Sequence, residues 1–318
     1  MFFRGLILLQ CLLSATAAAD ATAIPQQAAA VWLDKMIQAM KSLNYQGTVV
    51  FMKNNQVDTM KYRHRAAQGG EQEFLVSLNS PLREVTRKTN EVSCIYKDTS
   101  QKIIDHHPVD SSFIVNLPVN ADSLQNIYAL SVGGRESVAM HDTQILDVLP
   151  LDQLRFRRRI WIDTVTYLPL KVEVYNFDGG AIDQVMFTEF NAEPNQSGGA
   201  QEPLDTQGLN VKHIHAAQAE PFEKAPFTLQ NWPRGFKTVF FIRNSLQPSK
   251  PVDHLLLSDG FTTLSVYLEV KNDDGIEGLH GLGAVNSFSR VIDDYQVTVL
   301  GEAPAETVEA IAAGVALK

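Results

Sequence analysis

Cysteine is nearly absent from this chain of 318 residues, which holds only Cys11 and Cys94. Cys11 falls within a predicted export signal, so a single thiol would remain after processing. A lone thiol cannot close an internal disulfide, which excludes a fold held together by disulfide bonds. We interpret Cys94, in an alternating SCIYKD segment, as a small buried hydrophobe, and a redox role is the lesser alternative.

Positive charge is also scarce. The chain has 27 Lys and Arg against 36 Asp and Glu, which gives a net charge of −9. Nucleic-acid-binding proteins normally carry a basic patch and have a high pI, so no nucleic-acid partner is expected. Beyond an N-terminal apolar run at residues 6–13, no stretch approaches the roughly 20 apolar residues that a membrane-spanning helix needs.

Catalytic signatures are missing as well. The sequence contains no GxSxG, HExxH, P-loop or CxxC motif. Its histidines group only as His106-His107 and as His213-x-His215. Adjacent histidines of a strand point to opposite faces, and a metal normally needs several ligands, so we favour solvated histidines over a metal site. The sequence therefore predicts no catalytic residue, no metal and no cofactor, and we do not expect an enzyme.

Residues 1–19 have the pattern of a secretory signal. Arg4 supplies the positive charge, the apolar run follows, and an Ala-Ala-Ala cleavage site precedes Asp20. Removal of this segment takes away Arg4 and no other charge, so the net charge changes from −9 to −10. We expect an exported, acidic protein.

The remaining chain of about 300 residues is longer than a typical single domain, so two domains are expected. Residues 191–207 are rich in Gly, Pro, Ser, Asn and Gln and lack apolar periodicity, which predicts a flexible linker. The predicted organisation is a first domain at residues 20–190 and a second domain at residues 208–318.

The first domain is predicted to be a helix followed by an antiparallel sheet. Apolar residues recur at spacings of three and four between residues 31 and 43, which indicates an amphipathic helix. Short segments rich in Val, Ile, Phe and Tyr, separated by turn residues, then indicate antiparallel strands. These segments are residues 48–53, 56–65, 73–78, 83–88, 91–97 and 101–106 and, after a predicted helix at 124–130, residues 136–149, 154–163, 168–176 and 181–190. We expect an α+β fold, a large curved antiparallel sheet with helices on one face, which can enclose a ligand cavity for acyl chains.

The second domain is predicted to be a smaller α+β unit. Its predicted strands are residues 211–216, 236–243, 254–258, 262–270, 284–292 and 295–300. A closing helix is predicted at residues 304–317, with acidic residues in its first turn.

Alternating arginines mark one strand of the first domain. Period-2 alternation places Arg155, Arg157, Arg159 and Trp161 on one face. We favour a solvated outer face of the sheet, since charges on strand faces are usually solvated. The sharper hypothesis is a cationic platform, because guanidinium groups bind phosphates in bidentate fashion. The three arginines are then candidate contacts for an anionic glycolipid.

Two aromatic residues of the second domain are candidate partner contacts. Trp232 and Phe236 flank a Pro and a Gly in the WPRGF segment, and aromatic residues are enriched where partners bind. The alternative, which we favour slightly, is that both belong to the core.

Several longer sequence segments resemble one family. In the first domain these are LNYQGTVVF, PLREVTR and ILDVLPLDQLRFRRRIWIDTVTYLPLK. In the second they are WPRGF and GAVNSFSRVIDDYQVTVLGEAPAETVEAIAAGV. In these segments the chain resembles the RseB/MucB family of periplasmic negative regulators of the envelope-stress sigma factor, sigma-E. The resemblance implies a sensor domain related in fold to the lipoprotein carriers.

The resemblance also implies a function. Proteins of this kind bind the periplasmic domain of a membrane-spanning anti-sigma factor, shield it from site-1 proteolysis, and are displaced by lipopolysaccharide or a similar lipid. We therefore expect a periplasmic regulator, with the main share of anti-sigma binding in the second domain. A homo-oligomer is also compatible with the sequence. The alternative function is a periplasmic lipid or lipoprotein carrier, which would need the first domain alone.

Overall fold

The computed structural model describes most of the chain from Asp20 onward: residues 20–54, 56–67, 70–79, 81–106, 112–193, 208–214, 218–230, 232–247, 250–272 and 275–318. The predicted signal at residues 1–19 and residues 194–207 of the predicted linker lie outside the described residues. No helix within the described ranges has the length and apolar character needed to cross a membrane.

The first domain is built on one sheet of twelve strands. The elements of this domain are α1 Asp20–Ser42, β1 Asn44–Lys53, β2 Gln56–Ala67, β3 Gly70–Ser77, β4 Arg83–Lys88, β5 Glu91–Tyr96, β6 Gln101–Asp105, β7 Tyr128–Val138, β8 His141–Pro150, β9 Arg157–Asp163, β10 Pro169–Tyr175, β11 Ala181–Glu193 and β12 Asn210–Ile214. The strand order in the sheet is β12-β6-β5-β4-β3-β2-β1-β11-β10-β9-β8-β7, and all neighbours are antiparallel except β12 and β6.

Helix α1 supplies the apolar layer on one face of this sheet. Leu33, Met36, Ile37 and Met40 recur at helical spacing and are buried, and α1 packs against β7 and β8. The sheet is strongly curled, because β7 comes close to β11 although three strands separate them in the order. The predicted α+β fold, a large antiparallel sheet with helical structure on one face, is confirmed.

One predicted strand is wrong. Residues 136–149 were predicted as one strand, but β7 ends at Val138 and β8 begins at His141. Ala139 and Met140 form the turn with φ of +49° and +65°, the left-handed region that two-residue hairpins require. Neither residue is a Gly, Asn or Asp, so the sequence carries no turn signal there. The predicted helix at 124–130 is also wrong, since a 3-10 helix ends at Leu124, residues 125–127 form a turn, and β7 begins at Tyr128.

Strand β12 belongs to the first sheet. The sequence assigned residues 211–216 to the second domain, but β12 pairs in parallel with β6, with His213 opposite Ile104. A parallel partner that is distant in sequence leaves no local signal. The second domain therefore begins after β12 rather than at Gly208.

The second domain contains a six-stranded and a two-stranded sheet. Its elements are β13 Phe227–Leu229, β14 Lys237–Gln247, β15 Lys250–Ser258, β16 Thr263–Val270, β17 Gly278–Leu282, β18 Val285–Ile292, β19 Tyr295–Glu302, α2 Ala305–Gly314 and β20 Val315–Leu317. The larger sheet has the order β14-β15-β16-β19-β18-β17, and β13 pairs with β20.

The core of the second domain lies between these strands and α2. Ile311 of α2 packs there with Phe227, Phe241, Val266 and Val299. The helix is shorter than predicted, because residues 315–317 pair with β13 as a strand.

Candidate functional site at the domain junction

Arg155 lies at the centre of the contact between the two domains. Its side chain is fully buried. Nε donates to the carboxylate of Asp259, Nη1 to that of Asp152, and Nη2 to the backbone carbonyl of Arg234. The guanidinium carbon also lies 4.8 Å from the ring centre of Phe236. Arg155 therefore joins the domains and is not available as an exposed cation.

The reason lies in the backbone before β9. Residues 151–155 form bends, and the strand begins only at Arg157. The period-2 alternation predicted across residues 155–161 thus does not extend to Arg155, and the prediction that it shares an exposed face with Arg157 and Arg159 is wrong.

Asp259 organises the second domain's side of this contact. One carboxylate oxygen accepts hydrogen bonds from the backbone amides of Phe261 at 3.0 Å and Thr262 at 2.8 Å. The other accepts from Arg155 and from the hydroxyl of Tyr128 at 2.9 Å. Burial, together with the charge of Asp259, raises the pKa of Tyr128 well above its ordinary value, so Tyr128 stays a neutral donor.

A second ion pair lies beside the first. Arg158 is buried, and its Nη2 donates to Glu302 of β19 over 2.7 Å, while its Nη1 donates to the hydroxyl of Thr262 over 3.3 Å. Thr307 adds a hydrogen bond of 2.8 Å to the carbonyl of Leu154. The junction is thus held by two buried arginines of the first domain, each paired with a carboxylate of the second.

Arg157 and Arg159 lie elsewhere. Both are half-buried and share Asp147, with N···O distances of 3.3 and 2.9 Å. Their guanidinium carbons lie 4.8 Å from the ring centre of Tyr175 and 5.9 Å from that of Trp161. Hydrogen bonding to Asp147 raises the pKa of Arg159 against the opposing effect of burial. One carboxylate therefore compensates part of the positive charge predicted for this face.

The two aromatic candidates pack against other residues. Phe236 is buried in the second core and under Arg155. Trp232 is half-buried and stacks on Phe222 with ring centres 6.3 Å apart. This packing is the arrangement expected for core residues, and a partner contact at Trp232 stays a prediction.

A cavity of about 220 Å³ lies at the junction. Phe51, Val172 and Val185 line it from the inner face of the first sheet, and Phe261 lines it from the second domain. Its charged lining residues are Lys53, Arg158, Asp183 and Glu302. The sequence predicts a cavity between sheet and helices, whereas this one lies between the sheet, residues 112–116 and the loop that carries Phe261.

A buried carboxylate fixes the segment that borders this cavity. Glu73, with no exposed surface, accepts hydrogen bonds from Tyr62 at 2.7 Å, from Arg87 at 2.7 Å, and from Ser112 and the amide of Phe113. Period-2 alternation with Leu75 is the signal that could have placed Glu73 on the buried face.

The two histidine groupings of the sequence are described only in part. His106 and His213 are brought together by the β6-β12 pairing, with 2.9 Å between ring nitrogens, and Glu91 lies 3.7 Å from His106. His107 and His215 lie outside the described residues. Among the described residues, no three metal-ligating side chains form a group that could hold an ion. Cys94 is half-buried in β5, and burial raises the pKa of its thiol.

These features define a two-domain α+β protein whose large curled sheet is joined to a smaller sheet domain through buried ion pairs. Two family models match the chain: the MucB/RseB N-terminal domain at residues 28–212 and the MucB/RseB C-terminal domain at residues 221–316. The chain belongs to the MucB/RseB family. The first match extends into β12, in agreement with the place of that strand in the first sheet.

Named relatives cover nearly the whole chain. The chain is 29% identical to the sigma factor AlgU regulatory protein MucB of Pseudomonas aeruginosa, over 94% of this chain and 91% of the relative. It is 25% identical to the sigma-E factor regulatory protein RseB of Salmonella typhimurium, over 98% of this chain and 96% of the relative. The structure of the Pseudomonas aeruginosa MucA/MucB complex contains a chain that is 25% identical, with a TM-score of 0.69 over 92% of this chain and 99% of that one.

Proposed function

We propose that this protein is a periplasmic regulator that binds the periplasmic domain of a membrane-spanning anti-sigma factor. The observation that carries the proposal is the two-domain match to relatives named as sigma factor regulators, one of them solved together with MucA. The secretory pattern at residues 1–19 supports export. No catalytic step is invoked, because the proposed role needs only equilibrium binding.

Binding would act by shielding. A segment held in an interface is not accessible to a protease, so the bound anti-sigma factor would be protected from the site-1 cleavage that releases the sigma factor. We assign the main share of this binding to the second domain, and we propose that lipopolysaccharide or a similar lipid weakens it.

The junction supports the lipid part of the proposal by its chemistry. An apolar floor beside Arg158 and Lys53 suits an acyl chain that carries an anionic group. Arg157 and Arg159, which are partly exposed, would be outer contacts for such a ligand, whereas the buried Arg155 would not.

The alternative, a carrier of whole lipids or lipoproteins, is less well supported. Ligand sites usually measure roughly 300–1,000 Å³, and the junction cavity is about 220 Å³. A carrier would also need only the first domain, whereas the family match covers both domains.

A protease-protection assay tests the proposal. The chain from Asp20, the anti-sigma periplasmic domain and the site-1 protease are mixed, and cleavage is followed with time. We expect slower cleavage with the protein present, and restored cleavage when lipopolysaccharide is added. Heat-denatured protein is the control. Unchanged cleavage with a saturating amount of native protein would rule out shielding.

A further inference from the structure

Three charged residues of the junction cavity lie in one row across the first sheet. The row crosses the neighbouring strands β1, β11, β10 and β9, on which the residues opposite one another are Lys53, Asp183, Val174 and Arg158. Their side chains therefore share the inner face of the sheet. Lys53 pairs with Asp183 over 3.3 Å within the first domain. Arg158, at the other end of the row, pairs with Glu302 of the second domain.

The two ion pairs that join the domains differ in how firmly they are held. Arg155 and Asp259 have no exposed side-chain surface, and Asp259 is fixed by four donors. Glu302 has 31% of its side chain exposed, and the one hydrogen bond described for its carboxylate comes from Arg158. Arg158–Glu302 is therefore the contact at the junction that can exchange its acid.

Glu302 also has an unfavourable neighbour. Burial raises the pKa of Asp183, Lys53 lowers it, and the negative charge of Glu302 raises it further. Two carboxylates and two cations, Asp183 with Lys53 and Glu302 with Arg158, thus face one cavity. The buried Arg158 cannot lose its partner without a replacement anion, because an uncompensated buried charge is strongly unfavourable.

The lining of the cavity links this exchange to the domain contact. The cavity, of about 220 Å³, is lined by the first sheet, by residues 112–116 of the first domain, and by Phe261 and Glu302 of the second domain. An acid that reaches Arg158 from this cavity therefore lies beside both residues of the second domain.

We propose that Arg158–Glu302 is an exchangeable latch: an anionic amphiphile enters the junction cavity, its acid replaces Glu302 on Arg158, and the second domain loosens from the first. The inference rests on the lipid sensitivity in the proposed function and assigns it to one ion pair. It requires both parts of the ligand, an acid for Arg158 and a chain for the apolar floor.

The test measures the distance between the domains. Spin labels are placed at Met140→Cys and Ile276→Cys, which replace side chains 98% and 66% exposed. Cys94→Ser removes the remaining thiol of the processed chain. The probes are dodecyl phosphate below its micellar concentration, dodecyl maltoside with the same chain but no charge, and inorganic phosphate.

We expect dodecyl phosphate alone to lengthen or broaden the distance distribution. Glu302→Gln removes the competing acid and should tighten dodecyl phosphate binding roughly two- to fivefold, the equivalent of a partly exposed ion pair. Glu306→Gln, at an exposed carboxylate in the first turn of α2, is the matched control and should bind as the unmodified protein does. If Glu302 only stabilised the fold, Glu302→Gln would not tighten the binding of dodecyl phosphate.

An equal response to dodecyl maltoside, a full response to inorganic phosphate, or unchanged affinity in Glu302→Gln would each overturn the latch. The anti-sigma domain is titrated into the same samples. A distance change without weaker anti-sigma binding leaves the latch standing and refutes lipid sensing. Weaker anti-sigma binding without a distance change refutes the latch alone.

Discussion

At the scale of single residues, the arginines at positions 155–159 show how burial determines what a charged side chain does. Arg155 and Arg158 are buried and joined to acids of the second domain, whereas Arg157 and Arg159 share Asp147 near the surface. Composition and alternation cannot distinguish these environments, because the partner acids lie 104 and 144 residues away in sequence.

The first residue-scale prediction concerns Asp259. Asp259→Ala leaves Arg155 buried beside only the half-buried Asp152, so the free energy of unfolding should fall by about 3–5 kcal/mol. Asp152→Ala, which removes the more exposed of the two acids on Arg155, is the matched control and should cost about 1 kcal/mol or less. Urea denaturation measures both. Equal losses would show that Asp259 is not the anchor of the junction.

The second prediction at this scale is a pH dependence at Glu71. The contact with His64, whose Nε2 lies 4.0 Å from the Glu71 carboxylate, and pairing with Arg87 at 3.3 Å lower the pKa of Glu71 below 4.5 despite burial. A lowered carboxyl pKa stabilises the fold above the unfolded value, and the stabilisation disappears as the pH falls through the folded value.

Glu71→Gln should therefore cost roughly 1 kcal/mol at pH 7, and the difference from the unmodified protein should shrink as the pH falls below 4.5. Urea denaturation at pH 7 and pH 3 compares the two proteins, with Glu309→Gln on the exposed side of α2 as control. A deficit at Glu71→Gln that stays constant over this range would contradict the assigned pairing.

At the scale of elements, strands with turn residues between them could be predicted from the sequence, and strands that depend on distant partners could not. The loop Asp178-Gly179-Gly180 correctly separated β10 from β11. Ala139-Met140 gave no turn signal, and β12 gave no sign of its pairing with β6. Strand preference depends on neighbours across the sheet, and these are fixed only by the whole fold.

The same limit applies to the candidate site. The turn at Asp259-Gly260 lies between two predicted strands, yet the sequence does not reveal that it contacts the first domain. The contact itself is close: a Cβ at Gly260 would lie 2.7 Å from the Cα and Cβ atoms of Pro118.

Gly260→Ala is therefore the element-scale prediction. At a φ of +106° the substitution costs about 1–2 kcal/mol in backbone strain, and the overlap with Pro118 should raise the loss to about 3 kcal/mol. Gly179→Ala has a φ of +84° with nothing within 4 Å of the new Cβ, so it shows the strain alone. Thermal unfolding compares them, and equal losses would mean that the loop does not press on the first domain.

At the scale of the whole molecule, the two domains are joined more firmly than a flexible linker alone suggests. Each has its own apolar core, and buried ion pairs connect them. Because such pairs are sensitive to the loss of one partner, the relative placement of the domains can respond to a ligand that competes for one of them.

If the second domain provides the main share of anti-sigma binding, as proposed, the bound anti-sigma domain should protect its backbone amides from exchange. In hydrogen–deuterium exchange on the full chain, added anti-sigma domain should slow exchange mainly within residues 218–318. Glu302→Gln is included to separate direct protection from a change at the junction. Protection confined to residues 20–193 would contradict the assignment to the second domain.

Calorimetric titration of the anti-sigma periplasmic domain into the chain from Asp20 measures the proposed binding itself. We expect saturable binding with a dissociation constant of about 1 µM or lower, equivalent to roughly −8 kcal/mol or stronger. Denatured protein, titrated in the same way, sets the baseline. Absence of saturable heat at about 100 µM protein, roughly a hundredfold above the expected dissociation constant, would rule out the proposed binding.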